Sequence, residues 1–114
     1  MPEFLLIMKG SPKAWEAFGA EEKQRIMEKY YAFVNGLKRE DRFKGGSALK
    51  AGGTSLRSEK GLVLEDGPFS ETKEALNGYF VFAAKDRAEA LGLARQCPAL
   101  THGETVEVFE LTQH

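Results

Sequence analysis

The run Asp66-Gly67-Pro68-Phe69 contains the strongest candidate for chemistry in the sequence. Glycine permits a positive φ and proline lacks a backbone donor, so this run predicts a turn where a strand ends. A carboxylate beside Gly67 can be held at the mouth of a cleft without side-chain crowding, and there Asp66 would act as a catalytic general base. The alternative is that Asp66 bonds nearby backbone amides in an Asx-type turn and has no catalytic role.

Four further residues are predicted to contact a ligand in the same cleft: Phe69, Glu71, Lys73 and Glu107. Lys73 would supply a positive charge in an otherwise acidic segment and orient an anionic or polar ligand. The alternative for Glu71 and Lys73 is that they cap a short helical turn and form surface pairs. Glu107, on the last predicted strand, either faces a dimer interior near Asp66 or satisfies a structural hydrogen bond.

Cys97 and His102 do not predict a nucleophile or a metal site. A structural zinc site needs four ligands, and a thiolate at the C-terminal end of a helix meets the unfavourable end of the helix dipole. Cys97 is therefore expected in the core. The glycine pairs near Gly45 and Gly52 lack the Lys and Ser or Thr of a phosphate-binding loop, and the sequence implies no cofactor.

Length and composition are those of one ordinary globular domain, expected to span residues 1–114. The chain is 42% hydrophobic and 29% charged, and its formal charge of -1 argues against long-range attraction to nucleic acid or anionic membranes. The one cysteine has no intramolecular disulfide partner, the first residues lack a secretion signal, and no apolar run is long enough to cross a bilayer. These features predict a cytoplasmic protein.

Hydrophobic periodicity predicts an alternating order of strands and helices. Apolar residues recur at helical spacing from Glu21 to Lys38, whereas the segment from Gly45 to Gly61 is divided by glycines into short strands. Asp86 and Glu89 form a capping-box-like start of a second helix, which is expected to end near Cys97-Pro98. The predicted strands are Phe4 to Met8, the segments around Ala48-Leu49, Thr54 to Arg57 and Leu62 to Glu65, Tyr79 to Ala83, and Thr105 to Leu111, with a helical turn after Ser11-Pro12.

This β-α-β-β-α-β order predicts an α+β, ferredoxin-like fold with an elaborated central hairpin, in which both helices cover one face of an antiparallel sheet. Phe4 to Met8 and Tyr79 to Ala83 are apolar at consecutive positions, and so on both faces of that sheet. A second copy packed against the uncovered face would bury them, which predicts a homodimer. The alternative is that a segment of the same chain folds over this face.

Residues 63 to 80, which read VLEDGPFSETKEALNGYF, closely resemble the signature of the YCII-related family and specifically its DGPF branch. The resemblance extends to Leu5-Leu6-Ile7, Ala90 to Pro98 and Val106-Glu107-Val108, and so covers most of the chain. It implies a dimeric α+β barrel. Many members of the family are uncharacterised, some are encoded beside sigma factors, and a few relatives resemble small-molecule lyases that use a paired His and Asp.

The sequence departs from that pattern at two places. Its histidines are His102 and His114, and the first strand and helix contain none, which leaves the His-Asp pair of the family unmatched. The last strand reads Val108-Phe109-Glu110 where the branch usually has Arg followed by Pro, so an anion contact is lost.

The sequence therefore predicts a dimer that binds a small organic ligand near Asp66, with metal-free, lyase-like acid-base chemistry. The alternative is a non-enzymatic regulatory or ligand-binding module, linked to transcription through a sigma factor. RNA binding is a third reading, because residues 77 to 82 loosely resemble an aromatic RNA-binding strand and residues 38 to 60 hold seven basic against three acidic side chains. A basic segment of this size can also be a solvated surface that contacts an anion.

Overall fold

The computed structural model describes residues 1–69 and 74–113 of the chain. Within these residues the structure has six strands and three α-helices, and a short 3₁₀ helix precedes the last strand. In chain order the elements are β1 (Glu3–Gly10), α1 (Pro12–Glu16), α2 (Ala20–Arg39), β2 (Phe43–Ala48), β3 (Ser55–Glu59), β4 (Leu62–Asp66), β5 (Ala75–Ala83), α3 (Arg87–Ala94), the 3₁₀ helix (Pro98–Thr101) and β6 (Thr105–Glu110).

Four strands form the main sheet, in the order β2-β5-β1-β6 with every neighbouring pair antiparallel. This order places the first and third strands of the βαββαβ unit at the centre, as the ferredoxin-like arrangement requires. The predicted α+β fold is therefore confirmed. β3 and β4 are the elaboration: they form a separate two-stranded sheet that turns at Lys60 and Gly61.

The core lies between the main sheet and the helices. Alternate residues of β1, Phe4, Leu6 and Met8, are buried and face the helices, as does Phe82 of β5, whose ring stacks on Phe4 at a centroid distance of 6.0 Å. The core also takes in buried Leu37 of α2 and residues from α3 and the 3₁₀ helix. Burial of this apolar surface is the main force that holds the helices on one face.

The opposite face of the sheet holds the other residues of the same strands. Leu5 and Ile7 of β1 pair with Val81 and Tyr79 of β5, and all four are only half-buried. Phe109 of β6 lies opposite Leu5 and is 49% exposed. The two-sided apolar character predicted for these strands is thus present, and their second face is incompletely covered by the described part of the chain.

Two predicted boundaries were wrong. The glycine pattern predicted a break at Gly45-Gly46 before a strand around Ala48-Leu49, but both glycines lie inside β2, which pairs with β5. Gly46 packs so closely that a Cβ there would lie 2.7 Å from the carbonyl oxygen of Tyr79, so the glycine permits the strand contact and does not interrupt it.

The helix predicted to begin at Asp86, which is α3 in the structure, is also shorter than predicted. It ends at Ala94, and the chain reaches Cys97 and Pro98 through a turn that leads into the 3₁₀ helix. Its start is as expected, because the Asp86 carboxylate accepts a hydrogen bond from the Glu89 amide at 2.8 Å. Among the described residues, no helix is both long enough and apolar enough to span a membrane.

Candidate functional site

A cavity of about 790 Å³ opens between α2, the end of β2 and the loop that follows the 3₁₀ helix. One stripe of α2 forms a wall of this cavity, with Met27, Tyr30, Val34 and Lys38 spaced so that they lie on the same side of the helix. The remaining apolar wall comes from Met8, Trp15, Phe43, Leu49 and Phe80. The cavity is large enough for a small organic molecule and mostly apolar, as small-molecule sites usually are.

Polar groups converge at one end of this cavity, around His102. Its Nε2 lies 3.2 Å from the Tyr30 hydroxyl, and its Nδ1 lies 3.3 Å from the Glu104 carboxylate. The side chains of His102 and Glu104 are only 6% and 14% exposed. The three side chains form one connected hydrogen-bonded line, which we call the Tyr30–His102–Glu104 network.

The local backbone explains why His102 and Glu104 meet. The amides of both residues donate hydrogen bonds to the carbonyl of Ala99, at 3.3 and 3.1 Å, so the chain folds back on the end of the 3₁₀ helix. Gly103 lies between them with a φ of +87°, a conformation that glycine adopts without steric cost. This tight turn brings the side chains of His102 and Glu104 into contact with each other.

Glu104 is held from a second direction by Asn77, whose side-chain amide donates a hydrogen bond to the carboxylate at 3.1 Å. The register between β1 and β5 shifts at Met8 and Lys9, leaving Asn77 without a partner residue on β1. Such a bulge redirects a side chain. It explains how Asn77 reaches the cavity from the strand that also supplies Phe80.

Burial keeps the Tyr30 phenol protonated. Desolvation by burial, reinforced by the negative charge of the Glu104 carboxylate, raises the pKa of Tyr30 well above its ordinary value. A protonated phenol can donate to His102 Nε2, and the Glu104 carboxylate can accept from Nδ1–H. Both contacts are satisfied when Nδ1 of His102 carries a proton and donates it to Glu104, while Nε2 accepts from the Tyr30 hydroxyl.

Aromatic rings close around the imidazole. The ring centroids of Trp15 and Phe18 lie 6.2 and 6.1 Å from that of His102, and the ring of Tyr30 lies at 6.1 Å. Trp15 lies in α1 and Phe18 just after it, on the segment that follows β1. Their position limits the access of water to one side of the network, which strengthens its electrostatic interactions.

Cys97 is a core residue, as predicted. It is 1% exposed, and burial raises the pKa of its thiol to about 11. A thiol in this environment is mostly protonated and a poor nucleophile. Within the described residues, no group of three or more His, Cys, Asp or Glu side chains is arranged to hold a metal ion.

Three of the residues singled out from the sequence, Asp66, Phe69 and Glu107, lie outside the wall of this cavity. Asp66 is exposed at the end of β4 and is not part of the cavity wall. Phe69, 37% exposed, donates its amide hydrogen to the carbonyl of Gly53 at 2.9 Å, so the turn after β4 rests on the β2–β3 loop. Glu71 and Lys73 fall outside the described residues.

Glu107 lies on the sheet face opposite the helices, where its carboxylate is 3.2 Å from the ammonium of Lys9. The two side chains are 39% and 35% exposed, so solvent weakens this ion pair. The structure thus brings Glu107 together with Lys9. The prediction of Asp66 as a catalytic residue and of Glu107 as a ligand contact stays a prediction.

The sequence pattern predicted no functional role for His102, whereas the structure places it at the centre of the polar network. One signal was available: Tyr30 falls on the apolar stripe of α2, and a buried tyrosine hydroxyl usually needs a hydrogen-bond partner. That signal indicates that a partner exists but does not identify it, because His102 is 72 residues away in the chain.

Fold and cavity together define a small α+β protein with a ferredoxin-like sheet and a mostly apolar cavity whose wall includes the half-buried Tyr30, His102 and Glu104. The sequence matches the model of the YCII-related domain over residues 3–112, and the chain therefore belongs to the YCII-related family. A comparison with curated proteins gave no significant match.

Proposed function

We propose that the protein binds a small organic ligand in the cavity beside α2 and performs acid-base chemistry on it through the Tyr30–His102–Glu104 network. One observation carries this proposal: a buried histidine has each ring nitrogen within 3.3 Å of an ionisable partner at the wall of a cavity of about 790 Å³. A histidine with a hydrogen-bond partner at each ring nitrogen, placed at the wall of a cavity, is an arrangement typical of acid-base catalytic sites.

The network can take up one proton without separating charge over a long distance. A proton leaving the ligand passes to the Tyr30 oxygen, while the Tyr30 proton passes to Nε2 of His102. The imidazolium that results lies beside the Glu104 carboxylate, which stabilises its charge. In a lyase-like reaction the electron pair of the broken C–H bond forms a double bond. The leaving group on the neighbouring carbon departs with its own bonding pair. Tyr30 then gives its proton to the leaving group and regains a proton from His102, which restores the network.

A non-enzymatic ligand-binding module is the second candidate. It is favoured by the fact that both ring nitrogens of His102 already have partners within the protein and that its side chain is 6% exposed. In that case the network only satisfies buried polar groups, and ligand binding would serve regulation, for example beside a sigma factor. The two candidates differ in whether a bound ligand exchanges protons with the network.

Proton exchange therefore tests the proposal. Aryl ketones and hydroxy acids are first screened by the shift in melting temperature they cause, since a ligand of the folded state stabilises it. Each binder is then incubated with the protein in deuterated water, and loss of its acidic C–H signal is followed by proton NMR. We expect exchange with the wild type and at least tenfold slower exchange with His102→Asn, with binding retained.

Tyr30→Phe provides the second variant, because it keeps the aromatic ring and removes the hydroxyl. Exchange that continues unchanged in both variants would reject the network as the proton acceptor. Binding without any exchange in the wild type would favour the non-enzymatic module.

We further propose that the chain belongs to the DGPF branch of its family, on the basis of Asp66-Gly67-Pro68-Phe69. Asp66 stays a candidate carboxylate, but a ligand that occupies the cavity of one chain does not touch it, because Asp66 lies outside the cavity wall. The turn that contains it contacts the β2–β3 loop through Phe69 and Gly53, and Leu49 and Lys50 of that loop line the cavity.

The homodimer also remains a proposal. It is supported by the half-exposed apolar residues on the sheet face opposite the helices, among them Phe109 at 49% exposure. Light scattering at micromolar protein concentration should give the mass of a dimer, and Phe109→Glu should shift it toward the monomer. Leu100→Glu is the matched control, because Leu100 is 47% exposed on the 3₁₀ helix and lies away from that face. A wild-type monomer would reject the dimer.

A further inference from the structure

We infer that the ligand is an aromatic acylamino-carbonyl compound, the unit of an extended peptide, which pairs with the free edge of β2 at Ala48. This inference rests on the proposed function and adds the class of ligand and the place where it is held. It is carried by the position of a strand edge in the cavity wall.

β2 is an outer strand of the main sheet, so only one of its two edges is paired. β5 occupies one side, and within the described residues no strand pairs with the other. Directly after β2, the Leu49 amide donates to the Asn77 carbonyl of β5 at 2.9 Å. Because the backbone groups of successive strand residues point to opposite sides, the amide and carbonyl of Ala48, and likewise those of Gly46, point away from β5.

This free edge borders the cavity. Six consecutive residues, 46 to 51, line it. The side chains of successive strand residues point to opposite faces of a sheet, so a cavity that touches consecutive residues of β2 reaches the edge of the strand as well as one of its faces. The backbone groups of the edge are therefore accessible to a ligand in the cavity.

Small residues leave room for a ligand between this edge and α2. Gly46 pairs with Phe80 of β5, whose side chain belongs to the core under the helices, and Ala48 is two residues further along β2 on the same face. Neither residue has a long side chain that would fill the space toward α2. Glycine inside a strand is found where a ligand or another backbone approaches closely.

An acylamino-carbonyl unit has the groups that complete this edge. Its N–H would donate to the Ala48 carbonyl, and its C=O would accept from the Ala48 amide, as in an added antiparallel strand. The Ala48 carbonyl already accepts a hydrogen bond from the Ser47 hydroxyl at 2.9 Å, and its second lone pair serves the ligand.

The rest of the wall favours an aromatic substituent on this unit. Trp15, Phe43 and Phe80 contribute rings to the cavity, and Tyr31 of α2, also at its wall, is 61% exposed. An aromatic side chain that points from the added unit toward the helices would cover part of this surface and gain ring contacts. A polar substituent would lose its hydration without gaining hydrogen bonds there.

The edge and the Tyr30–His102–Glu104 network are joined through one residue. Asn77 accepts the Leu49 amide with its carbonyl and donates its side-chain amide to the Glu104 carboxylate at 3.1 Å. A ligand paired at Ala48 therefore lies in the same wall as the network. It also brings a C–H bond beside a carbonyl into the cavity, which is the type of bond that the proposed acid-base chemistry acts on.

The amide N-acetyl-phenylalanine methylamide is a suitable probe. Its ester analogue, in which an oxygen atom replaces the N–H of the phenylalanine unit, has nearly the same shape and lacks the donor. Trp15 is the one tryptophan of the chain and lines the cavity, so its fluorescence reports binding there. We expect the wild type to bind the amide about fivefold more tightly than the ester, which corresponds to one hydrogen bond.

Ala48→Pro removes the edge amide and should weaken binding of the N-acetyl amide about fivefold. The matched control is Glu110→Pro at the end of β6, the other outer strand. The Leu111 amide donates to the Glu3 carbonyl, so the amide of Glu110 also points away from the sheet, but Glu110 does not line the cavity. This control should leave the affinity unchanged. Circular dichroism checks the fold of both variants, and the comparison of amide and ester on the wild type decides even if Ala48→Pro does not fold.

Equal binding of amide and ester, unaffected by Ala48→Pro, would reject pairing at the edge while the cavity remains the ligand site. If neither compound binds the wild type, the ligand class is rejected, and proton exchange with smaller ketones still tests the proposed function separately. If Ala48→Pro converts a wild-type dimer into a monomer in light scattering, the edge pairs with a second copy of the chain and the inference is overturned.

Discussion

Removal of the Tyr30 hydroxyl is the most direct test of the buried network. Tyr30→Phe keeps the ring, whose centroid lies 6.4 Å from that of Phe80, and removes only the hydrogen bond to His102 Nε2. The imidazole is 6% exposed, so water cannot readily replace the lost donor. An unsatisfied buried acceptor costs about 1–3 kcal/mol, which lowers the melting temperature by roughly 4–12 °C in a chain of this size.

Urea denaturation followed by circular dichroism measures this loss. The matched control is Tyr31→Phe, because Tyr31 is the next residue and is 61% exposed, and its free energy of unfolding should change by less than about 0.5 kcal/mol. Equal effects of the two substitutions would refute the hydrogen bond as a stabilising contact.

The pH dependence of the same two variants gives an independent measure. The pKa of Tyr30 is raised in the folded protein, so above pH 10 the unfolded chain loses a proton that the folded chain keeps. The folded state then binds more protons, and the contribution of Tyr30 to the free energy of unfolding falls as the pH rises. Tyr30→Phe should remove this part of the alkaline destabilisation, and Tyr31→Phe should not.

Three further predictions follow from individual residues. Gly46→Ala should lower the free energy of unfolding by about 1–3 kcal/mol, because the new Cβ would lie 2.7 Å from the Tyr79 carbonyl oxygen. Gly92→Ala is the control and should raise the free energy of unfolding by about 0.5–1 kcal/mol, because a Cβ there would have no atom within 4 Å. Equal effects of the two substitutions would contradict the packing argument. The Cys97 thiol should react with an aromatic disulfide reagent at mildly alkaline pH only after the protein is unfolded in urea, because the thiol is 1% exposed and its pKa is raised to about 11. Rapid reaction of the folded protein would show that the thiol is accessible. Asp66→Asn should leave ligand binding to the cavity unchanged because Asp66 lies outside its wall, whereas loss of proton exchange at unchanged affinity would establish Asp66 as a general base.

Local patterns predicted the main elements because each depends on neighbouring residues. The helical spacing from Glu21 to Lys38 corresponds to α2, and the apolar run from Phe4 to Met8 lies within β1. The errors occurred where a distant partner decides the structure. From the sequence, Gly46 is interpreted as a break between strands. Only the pairing with β5 shows that a larger side chain at this position would clash with Phe80, which explains a glycine inside the strand.

The candidate site was less predictable than the fold. The sequence drew attention to Asp66, since a turn with glycine and proline is visible locally, and that residue lies outside the cavity. His102 has no distinctive sequence neighbours other than Gly103 and Glu104. Its role appears only when the 3₁₀ helix packs against α2 and brings it to the hydroxyl of Tyr30.

Periodicity and turn chemistry by themselves determine that this chain forms a four-stranded antiparallel sheet with helices on one face, because hydrophobic burial acts on every repeat of the pattern. Tertiary structure alone decides which polar side chains share a cavity. Tyr30, Asn77, His102 and Glu104 come from three separate parts of the chain, and their meeting depends on a strand bulge, a glycine turn and helix packing that local residue patterns do not encode.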